Sequence, residues 1–267
     1  MSPNCLILIL SFVYFNSFSQ NFIEKPEYKN LFAEYKVQGS FVLYDLEKNK
    51  YTCYNKAQLD SGFLPASTYK IFNSLVGIET EVIPDENYVI KWDGVKRSYE
   101  LWNKDTDLKT AYKNSTYWYY QELARRVGEE KMKSYVTKAQ YGNMNSSGGI
   151  DQFWLRGNLR ITPLQQIEIL KKLYENNLPF SERTFSIVKK IMIEEDTLGY
   201  VLRAKTGWAD QPGLDIGWYV GYIEKNNKVY IFATCIQCSD TTNSNFAKSR
   251  KLITRKILAQ LNIIPEL

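Results

Sequence analysis

The apolar positions of this chain change period twice. In "GSFVLYDLEKNKYTCYN" (residues 39–55) apolar and aromatic residues crowd both sides of a polar turn at 47–50, which predicts two paired strands. From Ala66 to about Glu195 the apolar residues recur instead at helical spacing. Ile71, Phe72, Leu75 and Val76 follow Pro65 and place Ser67 in the first turn of a helix. "NSTYWYYQELARRVG" predicts a helix closed by Gly128, and "EEKMKSYVTKA" begins another at once. "ITPLQQIEILKKLYENN" opens with Thr162 as N-cap, Pro163 at the first helical position and Gln165 completing a capping box. "SERTFSIVKKIMIEE" predicts one more helix. The pattern then reverts to β-rich runs in "GYVLRAKTG", "IGWYVGYIEK" and "NKVYIFATCIQ", the last two joined by a turn at Lys225, Asn226 and Asn227. Residues 250–263 predict a closing helix.

Strands first, helices in the middle, strands and a helix last: this order predicts an α+β fold. Its antiparallel sheet is built from both chain ends and flanked by helices, with an all-helical domain inserted. The expected divisions are 20–62 for the first part of the α/β domain, 63–196 for the helical domain and 197–267 for the second part. A ligand cleft is expected where the two meet.

The N-terminus adds a different signal. Residues 6–18 are almost wholly apolar, the first charge is Glu24, and Ser17-Phe18-Ser19 supplies a small-x-small pattern. Residues 1–19 therefore read as a secretory signal peptide, with an uncleaved anchor as the alternative because no Lys or Arg precedes the apolar run. The run falls short of the roughly 20 apolar residues a spanning helix needs, so no stable membrane span is expected after cleavage. An exported, periplasmic protein follows. The net charge of +5 comes from Lys and Arg interspersed with Asp and Glu, which suits small anionic ligands and argues against a nucleic-acid-binding stripe.

Cys53, Cys235 and Cys238 remain after the signal peptide, an odd number. Cys235-x-x-Cys238 has no second ligand pair and the chain has no histidine, so no metal site is expected and the cysteines read as strand-end packing.

The absence of histidine sharpens the question of chemistry. In "LPASTYK" Ser67 precedes Lys70 by three residues, and on a helix the two share a face. An ordinary lysine is protonated and useless as a base. Buried among apolar side chains, its charged form is disfavoured and the neutral amine can accept a proton. The free N–H groups of the same helix start suit an anion forming beside the serine. The spacing alone is weak, because Ser186 and Lys189 repeat it. Lys205-Thr206-Gly207 is expected at the end of a strand leading into a Gly/Pro-bearing loop, where it makes a carboxylate-binding edge. Tyr141-Gly142-Asn143 follows a helix, and Ser115 alone reads equally well as a helix N-cap.

Taken in order, Ser67-x-x-Lys70, Ser115, Tyr141-Gly142-Asn143, "DQFWLRGNLRIT" and Lys205-Thr206-Gly207 resemble the class D serine β-lactamases. The flanks "LPASTYK" and "KWDG" with "WNKDTDLKTAYKNS" match as well, and the likeness covers roughly residues 35–262. The resemblance implies the fold of serine β-lactamases and penicillin-binding transpeptidases, and β-lactam substrates acylating Ser67. It implies Lys70 carboxylated by carbon dioxide or bicarbonate as general base, with no other cofactor. It further implies Trp154 hydrogen-bonded to that carbamate, Ser115 shuttling protons and Lys205 supplying positive potential. Tyr141, Thr206, Gly207, Trp208 and Arg250 are then substrate-binding residues, with the N–H groups of Ser67 and Trp208 as oxyanion hole and Arg250 pairing with the substrate carboxylate. The partners expected are small-molecule β-lactams, and the sequence leaves monomer and homodimer both open.

One position departs from the family pattern. Two residues after the second serine the family usually has a small apolar residue, commonly valine, and here Tyr117 stands there. Turned inward, that ring would crowd the carbamate. The rival readings are a β-lactam sensor that is acylated without efficient turnover, a peptidoglycan transpeptidase or carboxypeptidase, and a non-catalytic binding module.

Overall fold

The computed structural model describes residues 21–197 and 199–266, so the expected signal peptide lies outside the described residues. Nine strands run through the described chain: β1 (Phe22–Glu24), β2 (Gln38–Asp45), β3 (Lys50–Tyr54), β4 (Val89–Ile90), β5 (Thr106–Asp107), β6 (Ile193–Asp196), β7 (Val201–Gln211), β8 (Leu214–Lys225) and β9 (Lys228–Cys238). The α-helices are α1 (Lys29–Glu34), α2 (Lys70–Glu79), α3 (Leu108–Lys113), α4 (Tyr117–Val127), α5 (Glu129–Lys138), α6 (Pro163–Tyr174), α7 (Glu182–Ile191) and α8 (Phe246–Gln260).

Seven strands form one sheet in the order β1-β3-β2-β9-β8-β7-β6. Strands from both chain ends meet where β2 pairs antiparallel with β9, Gln38 opposite Gln237 through Asp45 opposite Tyr230. The central strands are buried on both faces, which is why they read as near-continuous apolar runs. Their side chains nevertheless divide by the strand period of two. Phe41, Leu43, Tyr219, Phe232 and Ile236 join Phe32, Ile253 and Ile257 under α1 and α8. Val42, Tyr44, Trp218, Val220, Ile231 and Cys235 face the larger core with α2, α4 and α6. Cys235 and Cys238, three positions apart, fall on opposite faces and cannot bridge; they and Cys53 are free and buried. Among the described residues no cluster of His, Cys, Asp and Glu has the makings of a metal site.

Local chemistry explains the ends of the elements. Thr162 accepts from Gln165 N and Gln165 returns the bond to Thr162 N, the capping box read from the sequence. Asn226 and Asn227 take φ of 51° and 60° between β8 and β9, a turn that asparagine tolerates and that matches the strands' twist. At the end of α8, Asn262 adopts φ 57° and Ile263 N returns to Leu258 O.

Three expectations are corrected. The last residues of "SERTFSIVKKIMIEE" are not helical: α7 stops at Ile191, and Ile193–Asp196 becomes the edge strand β6, paired to β7. A polar edge strand fits there because its outer side faces solvent. Lys205-Thr206-Gly207 lies in the middle of β7, which runs on to Gln211 and turns at Pro212 and Gly213 (φ 73°) straight into β8. The closing helix begins at Phe246 and ends at Gln260, displaced by one turn toward the N-terminus from the expected 250–263.

Candidate active site

Ser67 sits on a short 3₁₀ turn, Ala66–Tyr69, that continues directly into α2. The turn is entered through Ala66 at φ 49°, a left-handed conformation that costs an L-residue roughly 1 kcal/mol or more and persists only under external restraint. That restraint is visible on three sides. Ala66 N donates to Trp154 O at 3.0 Å, Trp218 Nε1 donates to Leu64 O at 2.9 Å, and Gln166 Nε2 of α6 donates to Thr68 Oγ1 at 2.9 Å. The nucleophile turn is thereby tied to the sheet and to two separate parts of the helical layer.

Lys70 Nζ lies 2.6 Å from Ser67 Oγ. The lysine side chain is completely buried, and burial pulls its pKa down from 10.5 to about 7. The ring of Tyr120 faces its nitrogen at 5.3 Å, and Ser74 Oγ donates to Lys70 O at 2.7 Å, fixing the helix beneath it. The duplicate pair behaves otherwise. Ser186 is exposed, and Lys189 Nζ turns to Tyr174 O at 2.8 Å and Asn176 Oδ1 at 2.5 Å.

Ser115 is not a helix cap. Thr116 occupies the N-cap position of α4, while Ser115, at φ 55°, presents its hydroxyl to Lys205 Nζ at 3.1 Å. Lys205 also donates to Thr206 O at 3.1 Å. Burial, reinforced by the neighbouring Lys70, holds the Lys205 pKa well below its ordinary value. Arg250 Nη1 donates to Gly207 O at 2.8 Å, Arg250 Nε is buried without a partner among the described residues, and burial lowers this guanidinium to about 10. Among the described residues no carboxylate forms a salt bridge with Lys70, Lys205 or Arg250, so three basic groups gather without a neutralising anion. Such a floor favours an anionic ligand.

Strand β7 brings this set to the serine. Ala204 N donates away from β8, to Met192 O at 3.0 Å. The period of two puts the N–H groups of Thr206 and Trp208 on the same edge, which past Arg203 has no strand partner among the described residues. Gly207 makes the close approach possible: a Cβ there would stand 3.0 Å from Pro65 O and 3.1 Å from Thr68 Cγ2. The Trp208 side chain points out, 47% exposed, its indole donating to Asp215 Oδ1 at 2.8 Å.

Ser67, Ser115, Thr206, Gly207, Trp208 and Arg250 line one cleft of about 820 Å³ between the sheet and the helices. Trp154 and Tyr141 do not reach its wall; they stand behind the nucleophile turn. Tyr69 stacks on Trp154 with ring centroids 5.3 Å apart and meets Tyr141 edge-on at 5.2 Å. Trp154 Nε1 and Tyr141 Oη are both buried without a hydrogen-bond partner among the described residues. Asn143 staples its loop, accepting from Arg160 N and donating to Asn158 O.

Tyr117 does not turn inward. Its hydroxyl accepts from Arg97 Nε at 2.9 Å at the rim of the cleft. Sequence reasoning missed Ala66, Gln166, Trp218 and Arg97. The first is betrayed by no residue type, and the others act across long stretches of chain.

A profile of the penicillin binding protein transpeptidase domain matches residues 28–259, and with the sheet and cleft described above it defines the fold as that of the penicillin-binding transpeptidases. The chain is 40% identical to beta-lactamase OXA-5 of Pseudomonas aeruginosa over 262 residues, 96% of each protein. It superposes on the crystal structure of a class D β-lactamase from Nostoc with a TM-score of 0.86 and 45% identity, covering 90% of this chain and all of that one. It is also 39% identical to the regulatory protein BlaR1 of Bacillus licheniformis over 216 residues, 80% of this chain but 36% of that protein. The chain belongs to the class D β-lactamases.

Proposed function

We propose that the protein hydrolyses the β-lactam amide bond of penicillin-type antibiotics through an acyl-enzyme on Ser67, with a carboxylated Lys70 as general base. One observation carries this reading: a completely buried lysine amine, lowered to about 7, stands 2.6 Å from the serine hydroxyl in a chain without histidine. Near neutral pH a substantial fraction of that amine is neutral, the only form that takes up a proton or carbon dioxide.

Carbon dioxide held on that amine as a carbamate supplies an anionic base with two acceptor oxygens. The donor set fits it: among the described residues Trp154 Nε1 is a buried donor lacking an acceptor, next to the turn that holds Ser67 and leads into Lys70. The chain's own residues account for the rest. Ser67 Oγ gives up its proton toward Lys70 and bonds to the carbonyl carbon of the ring. The N–H groups of Ser67 and Trp208 receive the developing oxyanion. The ring C–N bond breaks, and its nitrogen takes a proton by way of Ser115, which Lys205 orients. Arg250 and Thr206 hold the substrate carboxylate. Water then cleaves the ester and restores Ser67. The enzyme acts as a monomer or homodimer after export to the periplasm; among the described residues no helix is long and apolar enough to cross a membrane.

A β-lactam sensor is the second reading, favoured by the BlaR1 relative and by the altered segment at Tyr117. Steady-state hydrolysis of a penicillin or nitrocefin, with and without added bicarbonate, decides between them. Multiple turnover enhanced by bicarbonate supports the lactamase. A stable one-to-one acyl adduct selects the sensor, and turnover of D-Ala-D-Ala peptides would instead select a transpeptidase.

A further inference from the structure

Tyr117 opens α4 and borders the cleft. Besides accepting from Arg97 Nε, it meets Trp102 edge-on with ring centroids 5.1 Å apart. The Arg97 guanidinium lies 5.2 Å from the Tyr117 ring and 5.8 Å from that of Trp118. Three of its other four N–H groups are committed as well. Nη1 donates to Asp93 Oδ1 and Val95 O, both at 2.8 Å, and Nη2 donates to Asp93 Oδ2 at 2.6 Å. With a side chain only 11% exposed, Arg97 is no free cation for a ligand. It is a clamp whose product is a fixed tyrosine ring.

The position of that ring gives it a use. Thr206, Gly207 and Arg250 make the sheet-side wall of the cleft; Trp102, Tyr117 and Leu155 lie on its helical side. A β-lactam carries its carboxylate on the nitrogen side of the ring and its side chain on the carbon next to the scissile carbonyl. With the carboxylate at Arg250 and the carbonyl at Ser67, that side chain is directed away from Arg250, toward the helical wall. The segment leading to this wall exposes Val95, Tyr99 and Leu101, interleaved with the polar Lys96, Ser98 and Glu100.

We propose that Tyr117, held in place by the Arg97–Asp93 pair, is a specificity-determining residue that packs with Trp102 and Leu155 against the substrate's side chain. The inference rests on the β-lactamase reading above and deepens it. Arg97 is here a positioning residue, acting only through Tyr117.

The test compares kcat/KM for benzylpenicillin, which bears an aromatic side chain, with that for 6-aminopenicillanic acid, which bears only an amine. Turnover of the two compounds by the unaltered protein tests hydrolysis itself; the ratio between them tests the subsite. An aromatic contact of this kind is worth a few-fold to about tenfold in affinity. Tyr117→Val is therefore expected to lower the ratio about five- to tenfold, mainly through KM for benzylpenicillin. Arg97→Gln should lower it in the same sense, and the double variant no further than Tyr117→Val alone. Tyr117→Phe, which keeps the ring and loses only the clamped hydroxyl, should match Arg97→Gln. Because each ratio is measured on one preparation, it is indifferent to the folded fraction. An unchanged ratio in Tyr117→Val overturns the subsite, and effects of Arg97→Gln and Tyr117→Val that multiply in the double variant overturn the clamp.

Discussion

Lys205 Nζ donates to Ser115 Oγ across 3.1 Å, joining the middle of β7 to the residue just before α4. The contact couples the two halves of the cleft, since one partner belongs to the sheet and the other to the helical layer. It also leaves the hydroxyl of Ser115 as an acceptor from lysine, free to pass on its own proton.

This pairing separates chemistry from strain at one residue. Ser115→Ala and Ser115→Gly both remove the hydroxyl, and each is expected to slow acylation about 100-fold or more, the scale of a lost proton shuttle. Ser115 adopts φ 55°, a conformation open to glycine but strained for alanine. The glycine variant should therefore be more stable than the alanine variant by about 1 kcal/mol. Stopped-flow acylation and urea denaturation check the two halves; a glycine variant less stable than alanine would contradict the strain.

Lys70 should write its burial into the pH dependence of stability. Folded, its pKa is lowered to about 7; unfolded, it returns to its ordinary value near 10.5. Between those limits the unfolded state binds the extra proton, so stability rises with pH, by up to about 1.4 kcal/mol per pH unit for one such group. Below pH 7 both states are protonated and the slope vanishes. Lys205, also lowered by burial, acts in the same direction. Urea denaturation in carbon dioxide-free buffer at pH 7.5, 8.5 and 9.5 should show a rising stability that is shallower in Lys70→Met. Added bicarbonate should stabilise the unaltered protein and leave Lys70→Met unmoved. Equal slopes in the two proteins would mean that the folded lysine does not titrate in this range.

The same residues show what a sequence can reveal. Ser67 and Lys70 were legible because three-residue spacing on a helix is local, and the apolar residues after them announced burial. The capping box at Thr162 and the Asn226-Asn227 turn were legible for the same reason: their partners lie within a few residues. Ala66 was not, since its left-handed backbone is imposed by Trp154, Trp218 and Gln166 from three distant elements. Strand β6 escaped because Glu194, Glu195 and Asp196 carry no strand-like apolar signal; the open edge of β7 makes them a strand. The direction of Tyr117 depended on Arg97, twenty residues earlier, and no pattern linked the two.

Arg250 is a half-buried guanidinium in the cleft lining, with no carboxylate partner and donating only to Gly207 O among the described residues. Burial already lowers it to about 10, so its charge costs the folded state energy that a bound anion would offset. Arg250→Ala is expected to raise KM for penicillins by about ten- to a hundredfold, the range of a lost charge-assisted hydrogen bond. It should do so at unchanged or slightly higher melting temperature. A large fall in melting temperature with unchanged KM would assign Arg250 to the fold and not to the ligand.

Gly207 is the point at which β7 touches the nucleophile turn, and adding one carbon there tests how tightly the two must fit. An alanine Cβ would sit 3.0 Å from Pro65 O, a backbone atom with no rotamer to yield, and 3.1 Å from Thr68 Cγ2, whose hydroxyl is already held by Pro65 O and Gln166. Relief must therefore come from moving the strand or the turn by a few tenths of an ångström. The backbone at Gly207 is not in the left-handed region, so alanine brings no conformational strain and the stability cost is confined to the contact, about 1–2 kcal/mol. The shift falls, however, between the two N–H groups proposed to receive the oxyanion, on Ser67 and Trp208, where a displaced donor costs roughly 100-fold in kcat. Gly207→Ala is accordingly expected to lose kcat far beyond what its modest fall in stability explains. Stability by denaturation and kcat by steady-state hydrolysis, measured on one preparation, test this; near-normal kcat in a folded Gly207→Ala would remove β7 from the oxyanion site.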